Sequence, residues 1–331
     1  MGFHEKIAAD EGTRFDQYGV ELADIQRQRA AKGGSTQRAL HVKAHTGVVG
    51  EFVVSGPESA RLGVFATLGQ RYPVYVRFSN GSSMGQSDKA PDVRGIAVKF
   101  VGVPGPKLIL GLEHEETQDF LFINDSALPF RDPQEFMAFV RAAKGGPALM
   151  VPKLFAGVGF GRALSILKRA LSSPKVLSFA THSFHTGAPI AFGAGAAKLG
   201  LFPLPSATVA PSIGDNYLRQ DLVQRLKTGA LAWTLRAQPF VNDQNTPIED
   251  ASVVWEGPWL ELGTLTIPKQ DLESVKGQEI AALVESLSFD PWHSIAEHRP
   301  LGAIMRARGV AYKASVLGRN AAPEPKTVVA L

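Results

Sequence analysis

Between residues 50 and 125 the chain breaks into short apolar runs separated by turn formers. They are GEFVVS (50–55), YPVYVRFS (72–79), VRGIAVKFVG (93–102), KLILGL (107–112) and DFLFIND (119–125). β-Branched and aromatic residues fill them, and Gly, Pro, Asn and Asp divide them, so the pattern predicts a series of strands. Further strands are predicted at 231–241, 250–256 and 259–267. Helical character shows at 132–144, where Asp132 stands as an N-cap before Pro133, and at 278–289. A late helix is predicted over GAIMRARGVAYKASVL, with Ile304, Met305, Val310 and Val316 as its apolar stripe. Residues 147–170 form a Gly/Pro-interrupted apolar segment that carries Lys153, Arg162, Lys168 and Arg169. Strands first, with helices between and after them, predict an α+β fold around an antiparallel β-barrel. The polar residues 1–35 read as a helical extension, 36–320 as the main domain, and 321–331 as a flexible tail.

Composition narrows the function. The chain has 331 residues, 44% hydrophobic and 20% charged, which suits a globular protein with a large core. Lys+Arg exceed Asp+Glu by 35 − 31 = 4, a mild basicity with no Lys/Arg block, so no nucleic-acid partner is expected. Without cysteine there are no disulfides, thiolate ligands or cysteine nucleophiles. The opening MGFHEKIAADEGTRF has no apolar core, and no run is long and apolar enough to cross a membrane. A cytoplasmic location is the expectation.

Several constellations could carry chemistry. On a helix, His41 and His45 would share a face as metal ligands. A zinc-hydrolase helix would place Glu directly after the first His, where this chain has Val42, and Gly47 breaks the segment. Strand alternation sends Arg77 and Ser79 to one face. Phe120, Phe122, Phe136 and Phe139 offer flat apolar surface, as core or as a cofactor wall. In the late helix Arg308 and Tyr312 meet at i,i+4, and Arg319 lies two turns beyond. A guanidinium against a phenol favours the phenolate, because opposite charge lowers an acid's pKa. Taken together, His41, Ser79, the phenylalanines, the basic trio Arg38, Arg77 and Arg319, and an arginine-polarised tyrosine suit a buried haem. Its propionates want arginines, its macrocycle wants apolar walls, and its iron wants one axial ligand and one open face.

These motifs resemble those of the haem catalase superfamily, and more closely its short branch of minimal catalases and catalase-related peroxidases. The resemblance runs from about residue 37 to 320. RALH (38–41) is similar to the family's Arg-x-x-His, RFS (77–79) to its strand with a propionate-binding Arg and a helper Ser, and VRGIAVKF (93–100) to its Arg-Gly-Phe-Ala-Val-Lys-Phe strand. DFLFIND resembles the distal strand, SFDP (288–291) the proximal Ala-Phe-Asp-Pro turn, and RGVAY (308–312) the Arg-x-x-x-Tyr helix.

The resemblance implies an α+β fold of the haem catalase type and haem b (iron protoporphyrin IX), with Tyr312 as the axial iron ligand. His41 would be the distal acid–base, helped by Ser79 and by Gln118 or Thr117. Arg38, Leu40, Arg77, Gly95, Phe122, Phe136, Phe289, Met305, Arg308 and Arg319 would surround the haem. The departures are equally specific. Leu40 stands where the family carries valine, the distal asparagine's place falls at Thr117 or Gln118, Leu121 replaces a phenylalanine, and Val316 replaces a histidine. They point to a peroxidase using hydrogen peroxide or organic hydroperoxides with small organic donors, and weaker disproportionation. Two alternatives stay open: a fatty-acid hydroperoxide lyase or isomerase of the allene oxide synthase type, which carries threonine where this chain has Leu40, and a non-catalytic haem-binding protein. Weak lipid contact through 147–170 and a homodimer complete the expectations.

Overall fold

The computed structural model describes residues 2–33, 38, 40–82, 85–144, 147–171 and 175–331. Its strands are β1 (Ala44–Val54), β2 (Arg71–Asn80), β3 (Arg94–Val101), β4 (Thr117–Ile123), β5 (Phe184–His185), β6 (Ile190–Phe192), β7 (Gly195–Pro203), β8 (Leu231–Pro239) and β9 (Leu260–Ile267). The antiparallel order is β5-β4-β3-β2-β1-β9-β8-β7-β6, and β5 also pairs with β7, which closes eight strands into a barrel and leaves β6 beside β7. The helices are α1 (Glu11–Gly33), α2 (Pro133–Lys144), α3 (Pro147–Val158), α4 (Phe160–Leu171), α5 (Tyr217–Thr228), α6 (Val275–Ser286) and α7 (Ala303–Arg319). The fold is α+β, as the strand-then-helix pattern predicts.

Alternation along the strands decides what fills the barrel. Val74, Val76 and Phe78 of β2 point inward with Ile96, Val98, Phe100, Phe120, Phe122 and Trp233. Tyr75 points outward with Val49, Val101, Ala97, Leu121 and Phe289. Aromatic pairs such as Phe52–Phe100 and Phe78–Phe179, both with centroids 4.9 Å apart, pack the interior. Aromatic side chains fill the interior of this eight-stranded barrel, so a ligand site has to lie on the outer wall.

Two predicted strands are not strands. KLILGL is a loop, with Leu110 exposed and Gly111 at φ 89°. Residues 250–256 form turns that bury Trp255. The 147–170 segment becomes two helices, and β5–β7 and α5 had no clear periodic signal.

The tail 321–331 is not a flexible tail but lies on the barrel. Val328 and Val329 pack beside Tyr75, whose hydroxyl donates to Thr327 O at 3.3 Å and accepts from Val329 N at 3.0 Å. Glu324 is buried against Lys99 Nζ at 2.6 Å, and Asp119 lies 2.7 Å from the same ammonium. Ser288 Oγ donates to Glu324 at 2.6 Å and Thr117 Oγ1 at 2.8 Å. Burial works against its charge, but Lys99 and these donors hold Glu324 down to about 2.

Glu324→Ala leaves Lys99 buried with one partner fewer and is expected to cost about 3–5 kcal/mol of unfolding free energy in urea titration. Lys326→Ala, which removes an exposed pair with Glu115, should change it little.

Candidate haem site

His41 sits just before β1 in a left-handed conformation, φ 56°. Such a backbone needs to be held from several sides. Its N–H donates to Gly81 O at 3.1 Å, the next amide, Val42, donates to Ser82 O at 3.1 Å, and Arg77 Nη2 donates to His41 O at 2.9 Å. The imidazole Nδ1 lies 3.0 Å from Ser79 Oγ. Ser79 faces Gly95 across the sheet, and a Cβ on Gly95 would stand 2.8 Å from His41 Cε1. Gly95 therefore supplies the floor on which the ring lies. Burial, with Arg77, Arg308 and Arg38 nearby, holds His41 down to about 3, so the ring is neutral at pH 7.

Arg38 and Arg77 are brought together by a carboxylate that the motifs do not reveal. Glu285 of α6 accepts from Arg77 Nε at 2.7 Å and from Arg38 Nε at 3.3 Å. Arg38 also donates to Glu285 O and Leu287 O. Despite burial, the two guanidiniums hold Glu285 below its usual range. Helix α6 comes this close because Gly47 of β1 has no side chain, and a Cβ there would meet Val284 Cβ at 2.3 Å. The isolated glycines within strand patterns at 47 and 95 were the available signal for these close approaches.

On α7 the predicted i,i+4 pair is made. Arg308 Nη2 donates to Tyr312 Oη at 2.8 Å, with the guanidinium carbon 5.2 Å from the ring centroid. Arg308 Nη1 also points at Met305 Sδ, 3.5 Å away. Trp292 fixes the helix from the side. Its Nε1 donates to Met305 O at 2.6 Å, and Gly309 makes room for the indole. Asp290 of the SFDP turn accepts from Trp292 N and donates its own N–H to Asp119. Burial raises Asp290 to about 7, against the Trp292 N–H and Arg308.

A cavity of about 20 Å³, room for roughly one water, lies between this helix and the barrel, lined by Gln118, Leu121, Met305 and Arg308 among others. Gln118 Oε1 accepts from Ile295 N, and its buried Nε2 has no partner among the described residues.

Five expected site residues stand elsewhere, Gln118 among them, since it shares the inward face of β4 with Phe120 and Phe122. Phe122 is inside the barrel, because β4 alternation turns it inward; Ile123, opposite Gly95, and Leu121, opposite Ala97, are β4 residues on the His41 face. Phe136 packs on the α1 side of α7, with Tyr18, Ala303 and Val310. Leu40 is 41% exposed. Thr117 is tied to His293 Nε2 at 2.6 Å and to Glu324. Phe289 does reach the site, its ring 6.0 Å from the Arg38 guanidinium carbon. The side chain of Arg319 lies outside the described residues. His41 and His45 do not share a helix: His45 is on β1, its Nε2 2.7 Å from Asn80 Oδ1.

Comparison with known proteins bears on this arrangement. A family model for catalase matches residues 21–156. A catalase-related peroxidase of Mycolicibacterium paratuberculosis (strain ATCC BAA-968 / K-10) is 28% identical over 264 residues, 75% of this chain and 78% of that protein. The chain thus resembles the haem catalases, and over most of its length it is similar to a short catalase-related peroxidase. A catalase of Ascaris suum is 30% identical over 130 residues, 38% of this chain and 21% of that one. A fungal catalase superposes with a TM-score of 0.66 at 19% identity, covering 90% of this chain and 63% of its own. Catalase A from Saccharomyces cerevisiae gives 0.66 at 17%, covering 97% and 66%. The chain thus spans less than two thirds of the length of these solved catalases. Proteins of this family bind haem and act on peroxide.

The donor set fits haem: a phenol held by Arg308, a neutral imidazole, and two arginines already gathered on one carboxylate. Tyr312 would ligate the iron, Arg38 and Arg77 would meet the propionates, and Leu121, Phe289 and Met305 would supply apolar contact.

Two outcomes are expected. Gly95→Ala should push the His41 ring off Ser79 and lower peroxide turnover about a hundredfold at unchanged haem content, as misplacing a reacting group does. Stability should also fall with pH. Burial holds His41, His45, His185, His293 and His298 well below 6.5, so below that pH the unfolded chain binds protons that the folded one refuses. Asp119 and Asp290, raised by burial to about 8 and 7, oppose this, but two groups stand against five. Midpoints in urea at pH 7 and pH 5 check it; an equal or higher midpoint at pH 5 contradicts it.

Proposed function

We propose that this protein is a haem-dependent peroxidase that reduces hydrogen peroxide or organic hydroperoxides with small organic donors, with weaker disproportionation of hydrogen peroxide. The observation that carries the reading is a neutral His41, fixed by Ser79 and Gly95, on the face of the barrel toward which α7 presents Arg308 and Tyr312. When bound, haem supplies an iron centre that accepts the peroxide oxygen and the two oxidising equivalents.

The chain's own residues manage the protons. With Nδ1 engaged by Ser79, His41 Nε2 takes the proton from the incoming hydroperoxide. It returns that proton to the departing oxygen, giving water or an alcohol as the O–O bond breaks. A histidine held near 3 stays available as a base well below neutral pH. Arg308 donates a charge-assisted hydrogen bond to the Tyr312 oxygen and would orient it as a ligand. Gln118 lies on the inward face of β4 with its Oε1 on Ile295 N, and Thr117 is bound to His293 and Glu324, so neither serves as a donor beside His41. The lack of an asparagine amide supports donor oxidation over oxygen release. Leu40, exposed and not a threonine, does not favour the hydroperoxide isomerase reading.

The test uses protein expressed with haem supplied. A ferric haem spectrum that changes in Tyr312→Phe is expected, with donor oxidation exceeding oxygen release after hydrogen peroxide or cumene hydroperoxide is added. His41→Ala should reduce turnover about 10²–10⁴-fold. If His41→Ala turns peroxide over at the native rate with haem bound, the mechanism is wrong. A protein that takes up no haem sinks the assignment altogether.

A further inference from the structure

We propose that the α3–α4 hairpin docks this protein on an anionic lipid bilayer surface. The inference does not depend on peroxide turnover. Its inner side is well packed: Leu154, Ala163 and Ile166 are fully buried with Phe130 and Ala142. Arg162 is held by Glu135 at 2.6 Å and Arg169 by Asp125 at 2.7 Å. The outer side carries four exposed apolar side chains. Leu149 is 51% exposed, Val151 44%, Phe160 72% and Leu164 53%.

The exposed positions are ordered along each helix. Phe160, Leu164 and Lys168 follow at i, i+4 and i+8, so α4 presents two apolar residues and then a lysine on one face. Leu149 and Lys153 repeat the arrangement on α3. A large exposed apolar patch marks an interaction site.

Charge selects the partner. From residue 136 to 214 the sequence contains no Asp or Glu, but holds Arg141, Lys144, Lys153, Arg162, Lys168, Arg169, Lys175 and Lys198. Three of these meet acids from outside the segment, namely Glu21, Glu135 and Asp125. Lys153, Lys168 and Lys175 are exposed. Apolar side chains beside lysines, with no acid between, fit the boundary between acyl chains and anionic headgroups. The helices are 12 residues each and lie in such an interface rather than cross it.

The hairpin is also joined to the site. Arg169, besides Asp125, bonds Ala127 O at 3.3 Å, and the next residue, Leu128, packs against Ala188 and Met305, which line the cavity. A docked hairpin would hold that wall beside a source of apolar hydroperoxides.

The experiment is co-sedimentation of the full chain with vesicles of phosphatidylcholine alone and of phosphatidylcholine mixed with phosphatidylglycerol. The protein should pellet with the anionic vesicles and leave them at high salt. Phe160→Ser/Leu164→Ser should weaken partitioning at least about tenfold, and Lys153→Ala about fivefold. Both variants should keep their circular dichroism and their turnover of dissolved hydrogen peroxide, since no residue of the candidate site is touched. Native protein that stays in solution with both vesicles overturns the proposal, and so does a double variant that pellets like the native chain. Light scattering without vesicles covers the remaining case: a native oligomer that the double variant converts to monomer would assign the face to a second copy and overturn it as well.

Discussion

A barrel of eight strands leaves no lumen once its inward positions carry aromatic rings, and this constraint governs the rest of the molecule. Phe52, Phe78, Phe100, Phe120, Phe122 and Trp233 occupy the space a ligand would need. Polar and charged residues of the same strands turn outward: Arg77, Ser79, Lys99, Thr117 and Asp119. An exposed outer wall could not sustain those groups as a site. It is covered by α6, the SFDP turn, α7 and the tail, which together make a second, mixed polar interior outside the barrel.

Within that layer the groups are held by reciprocal contacts. Lys99 draws Asp119 from the next strand and Glu324 from the tail. Arg77 and Arg38 draw Glu285 from α6. Helix α7, which carries Arg308 and Tyr312, is fixed at its start by Arg306, bound to Glu5, Glu11 and Glu249. Its middle is fixed by Trp292, and its back by α1, where Gly19 admits Val310. Buried ion pairs contribute little net stability over apolar packing, but removing one partner is costly. Their role here is to set where two helices and a tail sit relative to one wall of the barrel.

Glu285 occupies the arginine pair that haem propionates would meet. An internal carboxylate keeps two guanidiniums together and partly neutralised, so the anion site is organised by the chain's own charge.

The sequence by itself determined the elements whose periodicity is strong and whose chemistry is local. The strands β1–β4, the helix carrying Arg308 and Tyr312, the same-face placement of Arg77 and Ser79, and the order of the haem-family motifs are all read from spacings of two to four residues. Inward and outward placement on β4 was not readable, because Phe120, Leu121 and Phe122 are all apolar and only closure of the barrel decides which of them faces the core. Nor was the tail, since PEPKTVV has neither period and gains its order from Lys99 and Tyr75, more than two hundred residues away. Glu285 and Trp292 carry no local signal of their roles. Their partners come from other elements, and only the close approach allowed by Gly47 and Gly309 brings them there.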